Sequence, residues 1–272
     1  MSKLDPSDYP EVMNSLTAIS IAAANAIKES FTPDSVRIKA DGSPVTSADE
    51  AAEAVVHEGL ARLARPCPIV SEECSDGRTL PARSDCYYLV DPLDGTKEFI
   101  AGRDEYTINI ALMSEGRPVL GVITAPALGL IWRGIVGRGA ERLESLSGKV
   151  LPPHPIHCRS TPVGELIVMV SRSHLDPPTD AYLRRLPHTR RIGCGSSLKF
   201  CRLAEGAADH YPRLGPTMDW DIAAGHAILT AAGGVVTQLD GSRLKYGTPD
   251  LRIPSFLAWG DPERAESRAE NG

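Results

Sequence analysis

The sequence lacks the features that mark several specialised classes of protein. None of its six cysteines forms a CxxC pair or a Cys/His zinc spacing. It has no basic run, and its net charge is −6, so duplex nucleic acid is not an expected partner. Its first residues lack the basic and apolar regions of a signal peptide, and no apolar stretch reaches the roughly 18 residues of a membrane-spanning helix.

These absences lead to three expectations. The cysteines should be reduced, mostly buried thiols, in a soluble cytoplasmic protein for which peripheral contact at the inner face of the membrane stays open. No phosphate loop, GxSxG elbow, HExxH or GxGxxG motif is present, so the enzyme classes that depend on them lack support. No aromatic stacking platform is evident, which disfavours short RNA as a substrate.

The composition is that of an ordinary globular protein. Of the 272 residues, 42% are hydrophobic and 24% are charged. The 24 glycines and 22 prolines indicate many turns and strands rather than a helical bundle. The length predicts one large domain or two halves that share a site.

Hydrophobic periodicity divides the chain into two halves. The first, residues 1–155, is predicted as an α+β half that holds the metal, with helices over 8–30 and 48–64 on a mainly antiparallel sheet. Its expected strands are 37–39, 43–45, 68–70, 87–90, 108–113, 119–124 and 130–136. Residues 137–160 are low in apolar content and are predicted to hold the boundary.

The second half, residues 156–272, alternates strands with helices, which predicts an α/β arrangement. Its expected elements are strand 166–170, helix 178–186, strand 189–192, helix 196–205, strand 208–211, helix 221–232 and strand 234–239. The polar tail after Asp261 is expected to fray.

The most informative segment is DPLDGT, at 91–96. The apolar run Tyr87–Val90 leads into Asp91 and, three residues later, Asp94. Two carboxylates at one strand end repel each other unless a positive charge lies between them, and Mg²⁺ is the simplest one because it prefers oxygen ligands. The carbonyl of Leu93 is a further candidate ligand, and Gly95 and Thr96 begin a turn whose N–H groups suit a phosphate.

Three other segments carry acids at the ends of predicted elements. Glu72 and Glu73 follow a short strand, and one of them is a candidate ligand with the other a solvated neighbour. Asp221 begins a helix, where it also fits an N-cap, and Asp49 lies in a first helical turn, where it also suits the helix dipole. Their combination predicts a two-metal site that activates water and neutralises the leaving oxygen of a phosphate ester.

Together these motifs resemble the lithium-sensitive, Mg²⁺-dependent phosphatase superfamily that includes inositol monophosphatase, fructose-1,6-bisphosphatase and 3'(2'),5'-bisphosphate nucleotidase. The resemblance spans about residues 11–260. It implies a layered αβαβα sandwich, of α+β and α/β character, with the site between two halves. The run Lys97-Glu98-Phe99, SRSH at 171–174, GSSLKFC at 195–201 and YPRLGPT at 211–217 most resemble the bacterial bisphosphate nucleotidases.

The resemblance also implies roles for individual residues. Two or more Mg²⁺ ions would be held by Glu72, Asp91, the Leu93 carbonyl, Asp94 and Asp221. Asp49 and Thr96 would orient the attacking water, and the N–H groups of Gly95 and Thr96 would contact the scissile phosphate. The rest of the nucleotide, including its 5'-phosphate, would contact His174, Ser196, Lys199 and Arg213.

Two residues near Asp221 depart from the expected pattern. Ile222 stands where a threonine that orients a neighbouring carboxylate is expected, and Asp219 is an additional acid. We therefore expect the groups around the Asp221 carboxylate to differ from the family pattern.

The leading hypothesis is hydrolysis of adenosine 3',5'-bisphosphate to AMP and phosphate, a step that in bacteria belongs to sulfur metabolism. The same chemistry on an inositol phosphate, a sugar bisphosphate or the 3'-phosphorylated sulfate donor is the first alternative. A non-catalytic nucleotide- or metal-binding protein is the second. The resemblance further implies inhibition by lithium, and a homodimer is compatible with the sequence.

Overall fold

The computed structural model describes residues 4–30, 32, 35–40, 42–64, 67–73, 85–146, 149–162, 164–173 and 175–269. Its helices are α1 (Tyr9–Ser30), α2 (Ser47–Ala61), α3 (Thr96–Ile100), α4 (Pro177–Arg184), α5 (Leu198–Ala204), α6 (Asp219–Ala231) and α7 (Pro262–Ala269). A single 3₁₀ turn, Pro6–Asp8, precedes α1. Among the described residues, every helix is too short or too polar to cross a bilayer.

The strands form two main sheets and two small pairs. They are β1 (Arg37–Ile38), β2 (Pro44–Val45), β3 (Ile69–Ser71), β4 (Cys86–Asp94), β5 (Thr107–Ser114), β6 (Arg117–Ala125), β7 (Leu130–Ile135), β8 (Gly139–Leu146), β9 (Lys149–Val150), β10 (His154–Ile156), β11 (Leu166–Ser171), β12 (Thr189–Cys194), β13 (His210–Arg213), β14 (Thr217–Met218), β15 (Val235–Gln238), β16 (Arg252–Ile253) and β17 (Phe256–Trp259).

The larger sheet has the order β10-β8-β7-β6-β5-β4-β3, with β9 paired to β8. Only its β3–β4 pair is parallel among the described strands, and the others are antiparallel. The smaller sheet has the order β12-β11-β13-β17-β15, with β11 parallel to both of its neighbours. The mainly antiparallel first sheet is therefore as the sequence predicted.

Hydrophobic side chains divide the molecule into five layers. One core joins α1 and α2 to the outer face of the large sheet, and includes Leu16, Val56 and Ile110. A second core joins the other face to α5, α6 and the small sheet, and a third joins the small sheet to α4 through Val168 and Leu183. The order is helix, sheet, helix, sheet, helix, so the predicted αβαβα sandwich is confirmed.

Helix α6 lies unusually close to the large sheet. A Cβ atom on Gly121 of β6 would lie 2.3 Å from the carbonyl oxygen of Ala224, and one on Gly134 of β7 would lie 2.9 Å from the Cα of Ile228. Neither contact leaves room for a side chain, so glycine at these two positions lets the helix approach the strands. The first turn of α6, with Asp221, thereby lies beside the ends of β3 and β4, where Glu72 and Asp91 lie.

Three sequence predictions about local structure were wrong. Strand β8 occupies residues that were assigned to a boundary segment, because its charged residues form ion pairs such as Arg133–Glu141 and Arg142–Glu144 while Ala140 and Leu143 are buried. Residues Pro262–Ala269 of the polar tail, which was expected to fray, form helix α7. Strand β17, which pairs with both β13 and β15, was not predicted.

The prediction that the cysteines are reduced was also wrong in part. Cys67 and Cys86 form a disulfide with a Cα–Cα distance of 6.0 Å. The parallel register of β3 and β4, in which Ile69 lies opposite Tyr88, brings the two cysteines together two residues upstream of that pair. Cys158, Cys194 and Cys201 are free, and Cys74 lies outside the described residues.

Candidate active site

One cavity collects most of the residues singled out in the sequence. It has a volume of about 230 Å³ and lies where β4 of the large sheet approaches β13 and the first turns of α3, α5 and α6. The predicted residues that line it are Glu72, Asp91, Leu93, Asp94, Gly95, Thr96, Ser196, Lys199, Arg213 and Asp221. Asp49 is buried behind Thr96, and His174 lies outside the described residues.

The end of β4 holds two of the acids through an irregularity in the sheet. Asp91 pairs with Asn109 of β5 and Asp94 pairs with Thr107, so three steps along β4 span two along β5. Asp91 is buried, and its Oδ1 accepts a hydrogen bond from the backbone N–H of Leu93 at 3.1 Å. Its Oδ2 is buried without a hydrogen-bond partner among the described residues.

Three carboxylates from three different elements converge on this point. Each of Glu72, Asp91 and Asp221 offers an oxygen, and these oxygens lie within 4.8 Å of one another. Burial raises the pKa of Glu72 to about 8, an effect to which the Asp221 charge adds and which Lys39 opposes. Burial, followed by the charges of Glu72 and Asp94, also raises the pKa of Asp91 well above its ordinary value. The cluster therefore carries more negative charge than the surrounding protein compensates.

Asp221 is aligned by the segment just before α6. Its Oδ2 accepts hydrogen bonds from Thr217 Oγ1 at 2.6 Å and from the backbone N–H of Met218 at 3.0 Å. Ile222 is buried in the apolar core, so the aligning hydroxyl comes from Thr217 instead of from that position. The additional acid, Asp219, is buried and accepts the backbone N–H of Gly247 at 2.7 Å.

Asp94 connects the acidic cluster to the loop before α5. Its Oδ2 lies 2.9 Å from Ser197 Oγ and 3.3 Å from Asn109 Nδ2. Burial and the Asp221 charge raise the pKa of Asp94 to about 6, while Lys199 and these two hydrogen bonds oppose the rise. The same Ser197 hydroxyl lies 2.8 Å from the carbonyl oxygen of Asp221, so it touches two of the acidic segments.

Asp49 and Thr96 form a buried polar pair beside the cluster. Thr46 is the N-cap of α2, and its backbone N–H and hydroxyl donate to Asp49 Oδ2 at 2.8 and 2.6 Å. The other oxygen, Asp49 Oδ1, accepts the hydroxyl of Thr96 at 3.0 Å. The capping box of α2 therefore holds Asp49 in position to orient Thr96 at the cavity.

Lys39 joins the β1–β2 hairpin to the acidic segment after β3. Its Nζ lies 3.1 Å from Glu72 Oε1 and 2.6 Å from Glu73 Oε1. Burial lowers the pKa of Lys39, but the charges of the two glutamates outweigh this and raise it. Only 10% of the Glu73 side chain is exposed, so the expectation of a solvated neighbour was wrong: Glu73 is ion-paired to Lys39.

Two cationic side chains, Lys199 and Arg213, also line the cavity and form what we call its cationic wall. Lys199 is buried, donates to the carbonyl oxygens of Cys194 and Ser196, and lies 5.2 Å from the centre of the Tyr211 ring. Arg213 donates from Nη2 to the carbonyl oxygen of Pro216, and its buried Nε has no partner among the described residues. An arginine nitrogen in this state suits an anion bound in the cavity.

The sequence analysis missed several residues at the site. Ser197, Asn109 and Thr217 hydrogen-bond to the acids, Lys39 pairs with Glu72, and Glu98 forms part of the wall. Ser197 and Thr217 lie within the segments GSSLKFC and YPRLGPT that the sequence analysis singled out, and their hydroxyls were a signal that could have identified them. Asn109 and Lys39 depend on contacts between strands or between distant segments, which no local pattern reveals.

The acidic cluster fits a divalent cation. All its ligand atoms are oxygens, one of them is buried without a donor, and burial raises two of the carboxyl pKa values. A hard cation bound between these oxygens would supply the missing positive charge. The Leu93 carbonyl and Asp94 belong to the same turn and are available to complete such a site.

Comparisons of sequence place the chain among known proteins. The family model described as the inositol monophosphatase family matches residues 8–270. The chain is 43% identical to the 3'(2'),5'-bisphosphate nucleotidase CysQ of Shigella flexneri over 220 residues, which cover 79% of this chain and 84% of that protein. It is 42% identical to CysQ of Escherichia coli K12 over 219 residues, with the same two shares.

Comparisons of structure agree. CysQ from Bacteroides thetaiotaomicron matches with a TM-score of 0.76 and 32% identity, over 92% of this chain and 97% of that one. An inositol monophosphatase from Anabaena matches with a TM-score of 0.75 and 25% identity, over 97% and 96%. Both likenesses cover almost the whole fold.

Proposed function

This chain belongs to the inositol monophosphatase family, and from that membership we propose that it is a 3'(2'),5'-bisphosphate nucleotidase. Its substrate is adenosine 3',5'-bisphosphate, and its products are AMP and phosphate. The reaction depends on Mg²⁺, with two or more ions bound at the acidic cluster. Residues 1–155 supply most of the metal ligands, and residues 156–272 supply Asp221 and the nucleotide contacts.

One observation carries this proposal: one cavity combines an acidic wall whose negative charge is not fully compensated with a cationic wall. Glu72, Asp91 and Asp221 converge on one point, and Lys199 and Arg213 line the same cavity. A substrate with one phosphate would need only the acidic wall and its bound metal ions. A second cationic wall suits a second phosphate, as in a nucleoside 3',5'-bisphosphate.

The acidic wall holds the cations and thereby receives the scissile phosphate. Glu72, Asp91, the Leu93 carbonyl, Asp94 and Asp221 are the ligands we assign. When bound, Mg²⁺ supplies the positive charge that lowers the pKa of water and stabilises the leaving oxygen. The turn Gly95–Thr96 begins α3, and the first N–H groups of a helix have no partner within that helix, so we assign them to the phosphate oxygens.

The Asp49–Thr96 pair orients the attacking water. The Thr96 hydroxyl donates its proton to Asp49 Oδ1 at 3.0 Å, with the Leu93 carbonyl as a longer alternative at 3.2 Å. A hydroxyl that donates to a carboxylate keeps its lone pairs for a water in the cavity. Because Asp49 is itself held by two donations from Thr46, this alignment is fixed before substrate binds.

The cationic wall positions the other end of the substrate. Arg213 Nε lacks a partner among the described residues, and Lys199 is held at the cavity by two carbonyl oxygens. We assign both residues, with Ser196, to the 5'-phosphate. His174 is assigned to the same group from the sequence alone.

The decisive experiment measures phosphate release from adenosine 3',5'-bisphosphate, inositol 1-phosphate and fructose 1,6-bisphosphate, with and without Mg²⁺. We expect Mg²⁺-dependent release with a strong preference for the nucleotide. Preference for a sugar or inositol phosphate would retain the metal chemistry and overturn the substrate assignment. Tight binding of the nucleotide without release would instead indicate a binding protein.

A further inference from the structure

A third kind of group faces the cavity, the carboxylate of Glu98. It lies on α3, two residues after Thr96, and only 6% of the residue is exposed. It lines the cavity but lies outside the group of three carboxylates that converges on a cation position. Neither the metal chemistry nor the capture of a second phosphate uses it.

We propose that Glu98 is a specificity-determining residue that accepts a hydrogen bond from the hydroxyl on the carbon next to the scissile phosphate ester. On a nucleoside 3'-phosphate that group is the ribose 2'-hydroxyl, so the residue selects ribonucleotides over deoxyribonucleotides. This inference rests on the proposed function.

The surroundings of Glu98 hold its carboxylate in one place. Its Oε1 accepts a hydrogen bond from the hydroxyl of Ser173, just beyond the end of β11. A Cβ atom on Gly95 would lie 3.5 Å from Glu98 Oε2, and one on Gly195 would lie 3.3 Å from its Cγ. The side chain is therefore confined between two glycine-containing turns, with Oε2 beside the turn assigned to the scissile phosphate.

The chemistry of the group decides which part of the substrate it meets. An ionised carboxylate only accepts hydrogen bonds, and it repels phosphate, so neither phosphate of the substrate binds there. A nucleoside bisphosphate has two kinds of neutral donor, the ribose hydroxyl and the amino group of the base. The hydroxyl is attached to the carbon next to the phosphate ester, whereas the base lies across the sugar, so Oε2 faces the hydroxyl.

A buried charged acceptor discriminates strongly. When the substrate lacks the hydroxyl, the carboxylate loses a charge-assisted hydrogen bond and stays desolvated without a replacement. Sites built to hydrogen-bond a hydroxyl reject the analogue that lacks it more effectively than apolar pockets reject an added group. We expect wild-type kcat/KM for adenosine 3',5'-bisphosphate to exceed that for its 2'-deoxy analogue by about 10- to 100-fold.

The test compares this ratio in the full-length protein and three variants, with Mg²⁺ present throughout. Glu98→Ala should bring the ratio close to one, mainly by slowing the ribonucleotide. Glu98→Gln keeps the shape and removes the charge, and Ser173→Ala removes the donor that fixes Oε1, so both should give intermediate ratios. Glu58→Gln removes one exposed negative charge on α2 and should leave the ratio at the wild-type value.

The outcomes separate this inference from the proposed function. A wild-type enzyme that hydrolyses both nucleotides equally well overturns the inference and leaves the proposed function standing. The same holds if Glu98→Ala keeps the wild-type ratio while its thermal unfolding is unchanged. If wild type hydrolyses neither nucleotide, the proposed function fails and the inference fails with it.

Discussion

The two walls of the cavity differ in how well their buried charged groups are compensated. On the acidic wall, Asp91 has a buried oxygen without a donor among the described residues, and burial raises the pKa of Glu72 to about 8. On the cationic wall, Lys199 already donates to two backbone carbonyls. The first wall is incomplete without a bound cation, whereas the second is nearly satisfied and has one arginine nitrogen left over.

This difference indicates how the two walls contribute to stability and binding. Buried like charges destabilise the folded protein until a cation compensates them. Repulsion within the acidic wall therefore lowers the free energy of unfolding, and metal binding relieves this repulsion. The lysine and arginine of the cationic wall already donate to backbone carbonyls, so they destabilise the folded protein less. They can add substrate selectivity with little effect on folding. Substitutions in the acidic wall should therefore change both catalysis and metal-free stability, whereas substitutions in the cationic wall should change substrate selectivity and leave stability nearly unchanged.

The largest effect is expected for Asp91→Asn. Without a charged ligand at the centre of the cluster, kcat/KM should fall by about a thousandfold or more, because no other group restores the lost stabilisation of charge in the transition state. In the presence of a chelator the same variant should be more stable than wild type by about 1–2 kcal/mol, because a buried like charge is gone. Enzyme assays and thermal unfolding, with and without Mg²⁺, measure both effects.

Asp85→Asn is the matched control for this substitution, because Asp85 is exposed and lies just before the same strand. It should change neither activity nor the rise in melting temperature on adding Mg²⁺. A variant at Asp91 with near-normal turnover, or one destabilised in chelator, would remove the acidic wall from the proposed chemistry.

The acidic wall was also the part of the site that the sequence revealed best. Each of its acids lies at or just after the end of a strand, or in the first turn of a helix, and the pattern of apolar residues locates those element ends. Asp91 and Asp94 could be identified from the sequence because the apolar run Tyr87–Val90 stops at DPLDGT. The αβαβα layers were predicted on the same basis, through the resemblance that these motifs carry.

Contacts between distant segments could not be predicted from the sequence. The Ser197 bond to Asp94, the Lys39 pair with Glu72 and the Cys67–Cys86 disulfide all depend on how strands and loops are placed side by side. A single sequence records element ends but not the register between strands. Strand β8 was missed for a related reason, since charged residues that form ion pairs across neighbouring strands look like a loop when they are read along the chain.

The next effect concerns the cationic wall. Arg213→Ala should lower kcat/KM for adenosine 3',5'-bisphosphate relative to adenosine 3'-monophosphate by about 10- to 100-fold, because a charged donor to the 5'-phosphate is lost. Stability in chelator should stay close to that of wild type, unlike in the Asp91 variant. Steady-state kinetics on the two nucleotides measure the ratio.

Arg252→Ala removes an exposed arginine whose partner is the exposed Asp250, and it should leave that ratio unchanged. If Arg213→Ala slows both nucleotides to the same extent, Arg213 does not recognise the 5'-phosphate. The assignment of the 5'-phosphate to the cationic wall would then be wrong.

A smaller effect is expected from pH. In the metal-free protein the pKa of Glu72 is about 8 and that of Asp94 about 6, both above their ordinary values of 4.5 and 3.8. The folded state then keeps protons that the unfolded state releases, so the free energy of unfolding falls as pH rises from about 4 to about 8. We expect the free energy of unfolding to fall across this window in chelator, and to fall less at saturating Mg²⁺.

Urea unfolding at several pH values, with chelator or with Mg²⁺, tests this dependence. The stabilisation by Mg²⁺ should grow with pH, since the cation competes with protons for the same oxygens. If stability in chelator rises with pH over this window, other groups dominate the pH dependence. Repulsion within the acidic wall would then not destabilise the metal-free protein as we propose.

The smallest effect is expected for Ser197→Ala, which removes a hydroxyl that links two segments of the acidic wall without removing a charge. Its hydroxyl lies between Asp94 Oδ2 and the Asp221 carbonyl, so its loss should weaken Mg²⁺ binding by about 3- to 10-fold and stability by about 1 kcal/mol. Ser255→Ala, which removes a hydroxyl bonded to the Leu214 carbonyl outside the cavity, should have a similar effect on stability and none on Mg²⁺ affinity. Calorimetric titration with Mg²⁺ distinguishes the two variants, and equal affinities in both would mean that the Ser197 hydroxyl does not help to align the acidic wall for Mg²⁺.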